Sequence, residues 1–174
     1  MNYFQLFNLP ATFELDLTEL GSRYLQLQRR FHPDQHSAGS ERDRLLAVQQ
    51  TANINDAYYS LKQPLLRAEH LLALRGLKIS HEQRSFTDQV FLMQQMELRE
   101  QLAEISQSAD PDAIINSIER ELQQQRNQLL QQLANALETK SAEQDQLAAD
   151  LIRKLKFFFK LQSELELIEQ QLQD

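Results

Sequence analysis

Cysteine is absent from all 174 residues. With it go disulfide bonds, a thiol nucleophile, and any thiolate ligation of zinc or of an iron-sulfur cluster by the chain itself. Helix breakers are nearly as scarce, with three glycines and four prolines beside 41% apolar and 25% charged residues, a balance that favours an all-α fold. No stretch approaches the ~18 consecutive apolar residues of a membrane-spanning helix. Met1-Asn2-Tyr3 lacks the basic opening and apolar run of a secretory signal, so a soluble, cytoplasmic protein is expected. The formal net charge of -7 excludes general affinity for nucleic acid or anionic lipid, which depends on Lys and Arg meeting phosphate.

That charge is unevenly placed. Residues 1–78 carry nine Lys or Arg against eight Asp or Glu, whereas 79–174 carry nine against seventeen, which suggests two modules with different partners. Along the first module, Tyr3, Phe4, Leu6, Phe7 and Leu9 crowd into a short helix before Pro10. A polar start around Asp16 and Thr18 opens an amphipathic helix with Leu17, Leu20, Tyr24, Leu27 and Phe31 on one stripe, ending at Pro33. Its outer face carries Arg23, Arg29 and Arg30. A polar loop from Asp34 to Ser40 leads into a second helix on which Val48 and Ala52, and one face over Ala47, Thr51, Ile54, Tyr58 and Leu61, can turn inward. Pro64 marks its end. Leu65 to Leu74 forms a short apolar helix that Arg75-Gly76 stops.

The polar stretch from Lys78 to Ser85 has no period, which places the first module at 1–76, a linker at 77–86 and the second module at 87–174. Three helices are expected in the latter. The first is capped by Asp88 and runs to about Ser106; the second opens at Asp110-Pro111, an N-cap with proline at the first helical position; the third opens at the capping box Ser141 to Gln144. The stripe Ile115, Ile118, Leu122, Leu129, Leu133 and Leu137 on the second faces Leu147, Leu151, Leu155, Phe158, Leu165 and Ile168 on the third, giving a small antiparallel bundle. The Gln-rich run around Gln123 to Gln125 reads as a solvated helix face.

The tripeptide His32-Pro33-Asp34 is by itself a common turn sequence. Proline fixes its own φ and drives His32 out of helical geometry, so the imidazole and the carboxylate are presented on a turn with arginines behind them. Such a pair can engage a partner's arginine and backbone amides, with the basic face adding electrostatic steering. Its setting makes it specific. Residues Tyr24 to Asp34, with Ile54-Asn55-Asp56-Ala57-Tyr58 and Leu61 through Pro64 to Arg67-Ala68, resemble the J domain of DnaJ-class proteins over roughly the first 75 residues. The resemblance implies that His32, Pro33 and Asp34, supported by Arg23, Arg29 and Arg30, stimulate ATP hydrolysis by a DnaK-class chaperone. Gln35 stands where J domains usually have Lys, a departure expected to weaken the electrostatics slightly.

In the second module Phe91, Leu98, Leu102 and Ile105 share one narrow stripe and are assigned to the core. Leu92, Met93 and Met96 point to another sector together with Glu97, Glu100 and Glu104, an apolar patch with an acidic rim that suits docking of a protein. Phe157 and Phe159 flank the stripe at Phe158, so at least one ring is expected at the surface. With Phe91-Leu92-Met93 and Glu97-Leu98-Arg99-Glu100, the whole chain resembles the HscB family of specialised J proteins, which bring an IscU-like iron-sulfur scaffold to an HscA-like DnaK-class chaperone. The resemblance implies scaffold binding by Leu92, Met93, Met96, Glu97, Glu100, Glu104 and Phe157, no catalytic residue and no resident cofactor. Met96 replaces a typical Leu, a volume-conserving exchange. Two other readings stay open: an adaptor for a different folded client, and a metal-dependent hydrolase at His32, Asp34 and His36. Pro33 opposes the latter by spoiling helical i, i+4 placement of the histidines; His70 and His81 show no evident catalytic partner.

Overall fold

The computed structural model describes residues 1–79 and 88–174, so His81 and residues 80–86 of the expected linker lie outside the described residues. The described chain is helical, without strands: α1 (Tyr3–Leu6), α2 (Leu17–Phe31), a 3-10 turn at Pro33–His36, α3 (Glu41–Lys62), α4 (Pro64–Leu74), α5 (Gln89–Glu104) with a 3-10 turn at Ile105–Gln107, α6 (Pro111–Glu138) and α7 (Ala142–Gln173). It falls into two compact units that do not follow chain order. Residues 136–149, the turn between α6 and α7, belong with residues 1–79, while residues 80–135 and 150–174 make the second unit.

In the first unit the helix ends follow local chemistry. Asn2 and Gln5 close a reciprocal capping box on α1. Asp16 Oδ1 accepts from the Glu19 amide at 3.1 Å to start α2, and Ser40 with Asp43 does the same for α3. Each such cap satisfies backbone donors that a helix cannot pair internally. Pro64 occupies the first turn of α4, where its missing N–H costs nothing. At the far end Gly76 adopts φ +88, and the Leu77 and Gly76 amides reach back to the carbonyls of Leu72 and Ala73 at 2.9 and 3.0 Å. This is a Schellman stop, in the left-handed conformation that glycine reaches without strain.

Phe4, Phe7, Leu20, Ile54, Leu61 and Leu72 are fully buried; each such side chain stabilises the fold by about 1.5–3 kcal/mol relative to exposure. Arg67 is also buried, donating from Nη1 to the Leu61 carbonyl at 2.8 Å and lying over the Phe13 ring at 5.0 Å, which ties down the loop before α2. Burial lowers its pKa, opposed in part by the nearby Glu14 carboxylate. The inward face of α3 corrects the sequence reading. Ala47, Ile54, Ala57 and Leu61 are buried, whereas Val48 and Ala52 face solvent. Of the two faces expected to turn inward, the one carrying Ala47, Ile54 and Leu61 is inside and the one carrying Val48 and Ala52 is not; with apolar residues on both, hydropathy does not choose between them. Leu17 and Leu147, also expected inside, are 48% and 46% exposed, at the first residue of α2 and in the second turn of α7.

The turn joining α6 and α7 is secured within the first unit by Arg75, whose guanidinium donates to Asp145 Oδ1 and to the Leu137 carbonyl, each at 2.7 Å. In the second unit α5, α6 and α7 form the expected three-helix bundle. Phe91, Leu98, Leu102, Ile105, Ile115, Ile118, Leu122, Leu129 and Leu133 are buried, as are Leu151, Leu155, Phe158 and Leu165. Asp88 and Asp110 cap α5 and α6 as predicted, accepting from Phe91 at 3.1 Å and Ala113 at 3.2 Å; Ser141 Oγ accepts from Gln144 at 3.2 Å at the start of α7. No described helix is long and apolar enough to cross a membrane.

Candidate functional site

Two sets of exposed side chains stand out, one in each unit. The first grows from the end of α2. Its backbone leaves helical geometry at His32, with φ -59 and ψ 135, because Pro33 follows. Pro33 then opens the 3-10 turn, in which the Gln35 amide donates to the His32 carbonyl at 2.9 Å. His32 caps that turn with its ring: Nδ1 accepts from the Asp34 amide at 3.2 Å and lies 3.5 Å from Asp34 Oδ2. The Asp34 carboxylate is 90% exposed and the His32 side chain 48%. The local hydrogen bonds therefore use one ring nitrogen and orient the pair, leaving Nε2 and the carboxylate available to a partner.

The hairpin beneath is fastened by side chains from the inward stripes of α2 and α3, joined by Asn55. Tyr24 stacks on Tyr58 with ring centroids 4.0 Å apart, and its hydroxyl donates to Asn55 Oδ1 at 2.8 Å. Thr51 Oγ1 donates to the Phe31 carbonyl at 3.0 Å, one residue before the turn. These side chains hold α2 and α3 together at the level where the loop projects.

The three arginines separate. Arg29 and Arg30 are exposed, with the Arg30 guanidinium 5.3 Å from the Phe31 ring centroid. Arg23 is engaged within the chain, donating to the Phe7 carbonyl at 2.9 Å, to the Asn8 carbonyl, and to Glu19. It covers carbonyls at the end of α1, where Asn8 holds a positive φ of 52. His32, Asp34 and His36 do not converge on a metal site: among the described residues no group of three or more His, Asp or Glu side chains could hold an ion. His70 is packed. Its Nε2 accepts from the Tyr3 amide at 3.2 Å, its ring stacks on Tyr3 at 4.5 Å, and burial lowers its pKa.

The second set lies on α5. Leu92, Met93 and Met96 are 38%, 62% and 64% exposed, on the side opposite Phe91, Leu98 and Leu102, and Glu97, Glu100 and Glu104 are exposed beside them. Sequence reasoning missed Val90, exposed at 78% one turn before Met93, although its spacing to Met93 and Glu97 puts it on the same side of the helix. Phe157 of α7 lies half-buried next to this helix. Its ring meets Phe91 and Phe158 edge-on at 5.6 and 5.4 Å. Arg99 lies over it at 5.7 Å and pairs with Glu164. Phe159 is also half-buried, under the Arg126 guanidinium at 5.4 Å. The Asp88 carboxylate meets Lys154 Nζ at 2.9 Å; this bond, with the amide of Phe91, holds its pKa below the usual range and pins the start of α5 to α7.

Residues 87–166 match the HscB C-terminal oligomerisation domain. The co-chaperone HscB homolog of Shewanella oneidensis is 50% identical over 174 residues, covering all of both chains. That of Vibrio cholerae is 50% identical over 173 residues and 99% of both. Among solved structures, the chaperone HscB from Vibrio cholerae superposes with a TM-score of 0.86 at 48% identity, over 99% of each chain. The human co-chaperone HscB gives 0.89 at 29% identity, over 97% of this chain and 82% of that one. A projecting His-Pro-Asp turn, an apolar α5 face with a carboxylate rim, and full-length identity near one half lead to one conclusion: this chain belongs to the HscB family of co-chaperones.

Proposed function

We propose that the chain is a two-site adaptor of iron-sulfur cluster biogenesis. Residues 1–76 act as a J domain that stimulates ATP hydrolysis by an HscA-like DnaK-class chaperone, and residues 87–174 hold an IscU-like scaffold protein for delivery to it. The observation that carries this reading is the His32-Pro33-Asp34 turn, with its carboxylate almost fully exposed and its imidazole oriented by the Asp34 amide. Exposed Arg29 and Arg30 supply the steering charge beside it. On α5 the flexible side chains of Met93 and Met96 give an adaptable apolar contact, and the carboxylates beside them favour a basic rim on the scaffold. The chain itself catalyses no reaction and needs no resident cofactor; it acts in the cytoplasm, on neither membrane nor nucleic acid. Joining both sites in one chain raises the effective concentration of scaffold at the chaperone, so moderate affinity at each suffices.

Steady-state ATP hydrolysis by the chaperone, with and without scaffold, tests this. His32→Gln is expected to abolish stimulation. Leu92→Ala/Met96→Ala/Phe157→Ala is expected to keep basal stimulation and lose the additional effect of scaffold. Full stimulation by a folded His32→Gln protein would overturn the J-domain assignment.

A further inference from the structure

The Phe31 carbonyl closes α2 directly before the His32-Pro33-Asp34 turn, where a helix has run out of internal donors. Two backbone amides follow at the spacing that could return to it, those of Asp34 and Gln35, and the turn uses both. The Asp34 amide donates to His32 Nδ1 at 3.2 Å and the Gln35 amide to the His32 carbonyl at 2.9 Å. Pro33 has no N–H to offer. The donor comes instead from α3, twenty residues along the chain: Thr51 Oγ1 meets the Phe31 carbonyl at 3.0 Å. A side chain of the second helix of the hairpin therefore caps the first.

That carbonyl shares one rigid peptide plane with the His32 nitrogen. The bond from Thr51 thus fixes the plane from which His32 leaves the helix, at φ -59 and ψ 135, and with it the direction of the ring that accepts from Asp34. Thr51 also ends a polar ladder. Tyr24, Gln28 and Phe31 follow α2 at steps of four and three, as Thr51, Asn55 and Tyr58 follow α3. The Tyr24 ring stacks on Tyr58, and its hydroxyl donates to Asn55 Oδ1 at 2.8 Å and accepts from Gln28 Nε2 at 3.2 Å. The alignment of the hairpin reaches the turn through the last rung, a hydroxyl bonded to main chain. We infer that Thr51 is a positioning residue for the stimulation of ATP hydrolysis: it acts through the Phe31 carbonyl to hold the His32-Pro33-Asp34 turn in the direction that a chaperone meets. This rests on the J-domain reading and adds to it what aligns the turn. A turn that samples other directions is competent for only part of the time, so its apparent affinity falls by that fraction while its effect at saturation stays.

The test is steady-state ATP hydrolysis by the purified HscA-like chaperone over a range of concentrations of the full chain, at a temperature where circular dichroism shows every variant folded. Thr51→Val keeps the β-branch but has no donor. It is expected to raise the half-saturating concentration about fivefold, the worth of one hydrogen bond, with maximal stimulation retained. Thr51→Ser keeps the hydroxyl and is expected to behave as the wild type. So is Arg75→Ala, which cuts the tie to Asp145 and the Leu137 carbonyl and controls for lost stability. Backbone order parameters of the Asp34 and Gln35 amides from NMR relaxation should fall in Thr51→Val and not in Thr51→Ser. Wild-type half-saturation by Thr51→Val, or equal impairment of Thr51→Val and Thr51→Ser, would overturn the inference. His32→Gln separates its failure from that of the J-domain reading. Stimulation abolished by His32→Gln but untouched by Thr51→Val removes the positioning role alone, whereas full stimulation by His32→Gln removes both.

Discussion

Arg23 and Arg30 lie two turns apart on α2 and carry the same charge, yet their surroundings give them different work. Arg23 supplies donors to the Phe7 and Asn8 carbonyls and pairs with Glu19, whereas Arg30 is exposed. Arg23→Ala should therefore lower unfolding free energy by about 1.5–3 kcal/mol, the scale of hydrogen bonds to a charged donor. Arg30→Ala should leave stability within about 0.5 kcal/mol and reduce chaperone stimulation; chemical denaturation and ATPase assays separate the two. His70 makes a prediction of a different kind. Burial lowers its pKa in the folded chain, so between the folded and unfolded values the unfolded state binds the extra proton. Its contribution is fully present above the unfolded value of about 6.5 and declines as pH falls through that value toward the folded one. Melting temperatures measured from pH 7.5 to 5 should drop in the wild type, and His70→Gln should be less stable at pH 7.5 with a shallower pH slope.

At the scale of elements, α3 shows where periodicity misleads. Leu45, Val48, Ala52 and Tyr59 lie outward, while Ala47, Ile54, Ala57 and Leu61 lie inward, so apolar residues occupy opposite faces and the stripe cannot be chosen from their spacing. Ala52→Glu should change stability by less than about 0.5 kcal/mol. Ile54→Ala should cost about 2–4 kcal/mol through lost burial and the cavity left behind. Urea denaturation distinguishes them, and equal effects would show that the inward face is misassigned. Helix ends were far more legible. Asp16, Ser40, Asp88, Asp110 and Ser141 each accept from a backbone amide three residues on, a relation within a single turn that short-range sequence suffices to specify. Asp16→Ala should accordingly cost about 1 kcal/mol.

At the scale of the molecule, chain order and packing disagree. A boundary near residue 80 is visible in charge and hydropathy, but residues 136–149 pack with residues 1–79. Arg75 makes that association specific, binding Asp145 and the Leu137 carbonyl some sixty to seventy positions away, in surroundings that leave both side chains less than one fifth exposed. Arg75→Ala strands a half-desolvated carboxylate and an unpaired carbonyl, and should cost about 2 kcal/mol. Asp145→Asn, which keeps an acceptor, should cost less by calorimetry.

Local composition determined most of what kind of protein this is. Scarce glycine and proline, capping residues at short range and two helical periodicities specify an all-α chain. The His32-Pro33-Asp34 turn and the outward set from Leu92 to Glu104 follow from backbone restriction and a 100° step, both properties of neighbouring residues. Tertiary structure alone decided which arginines are available, which face of α3 is inside, and that the α6–α7 turn packs against Arg75. Each of these depends on a carbonyl, ring or carboxylate brought close by folding from a distant part of the chain, and side-chain type carries no record of that distance.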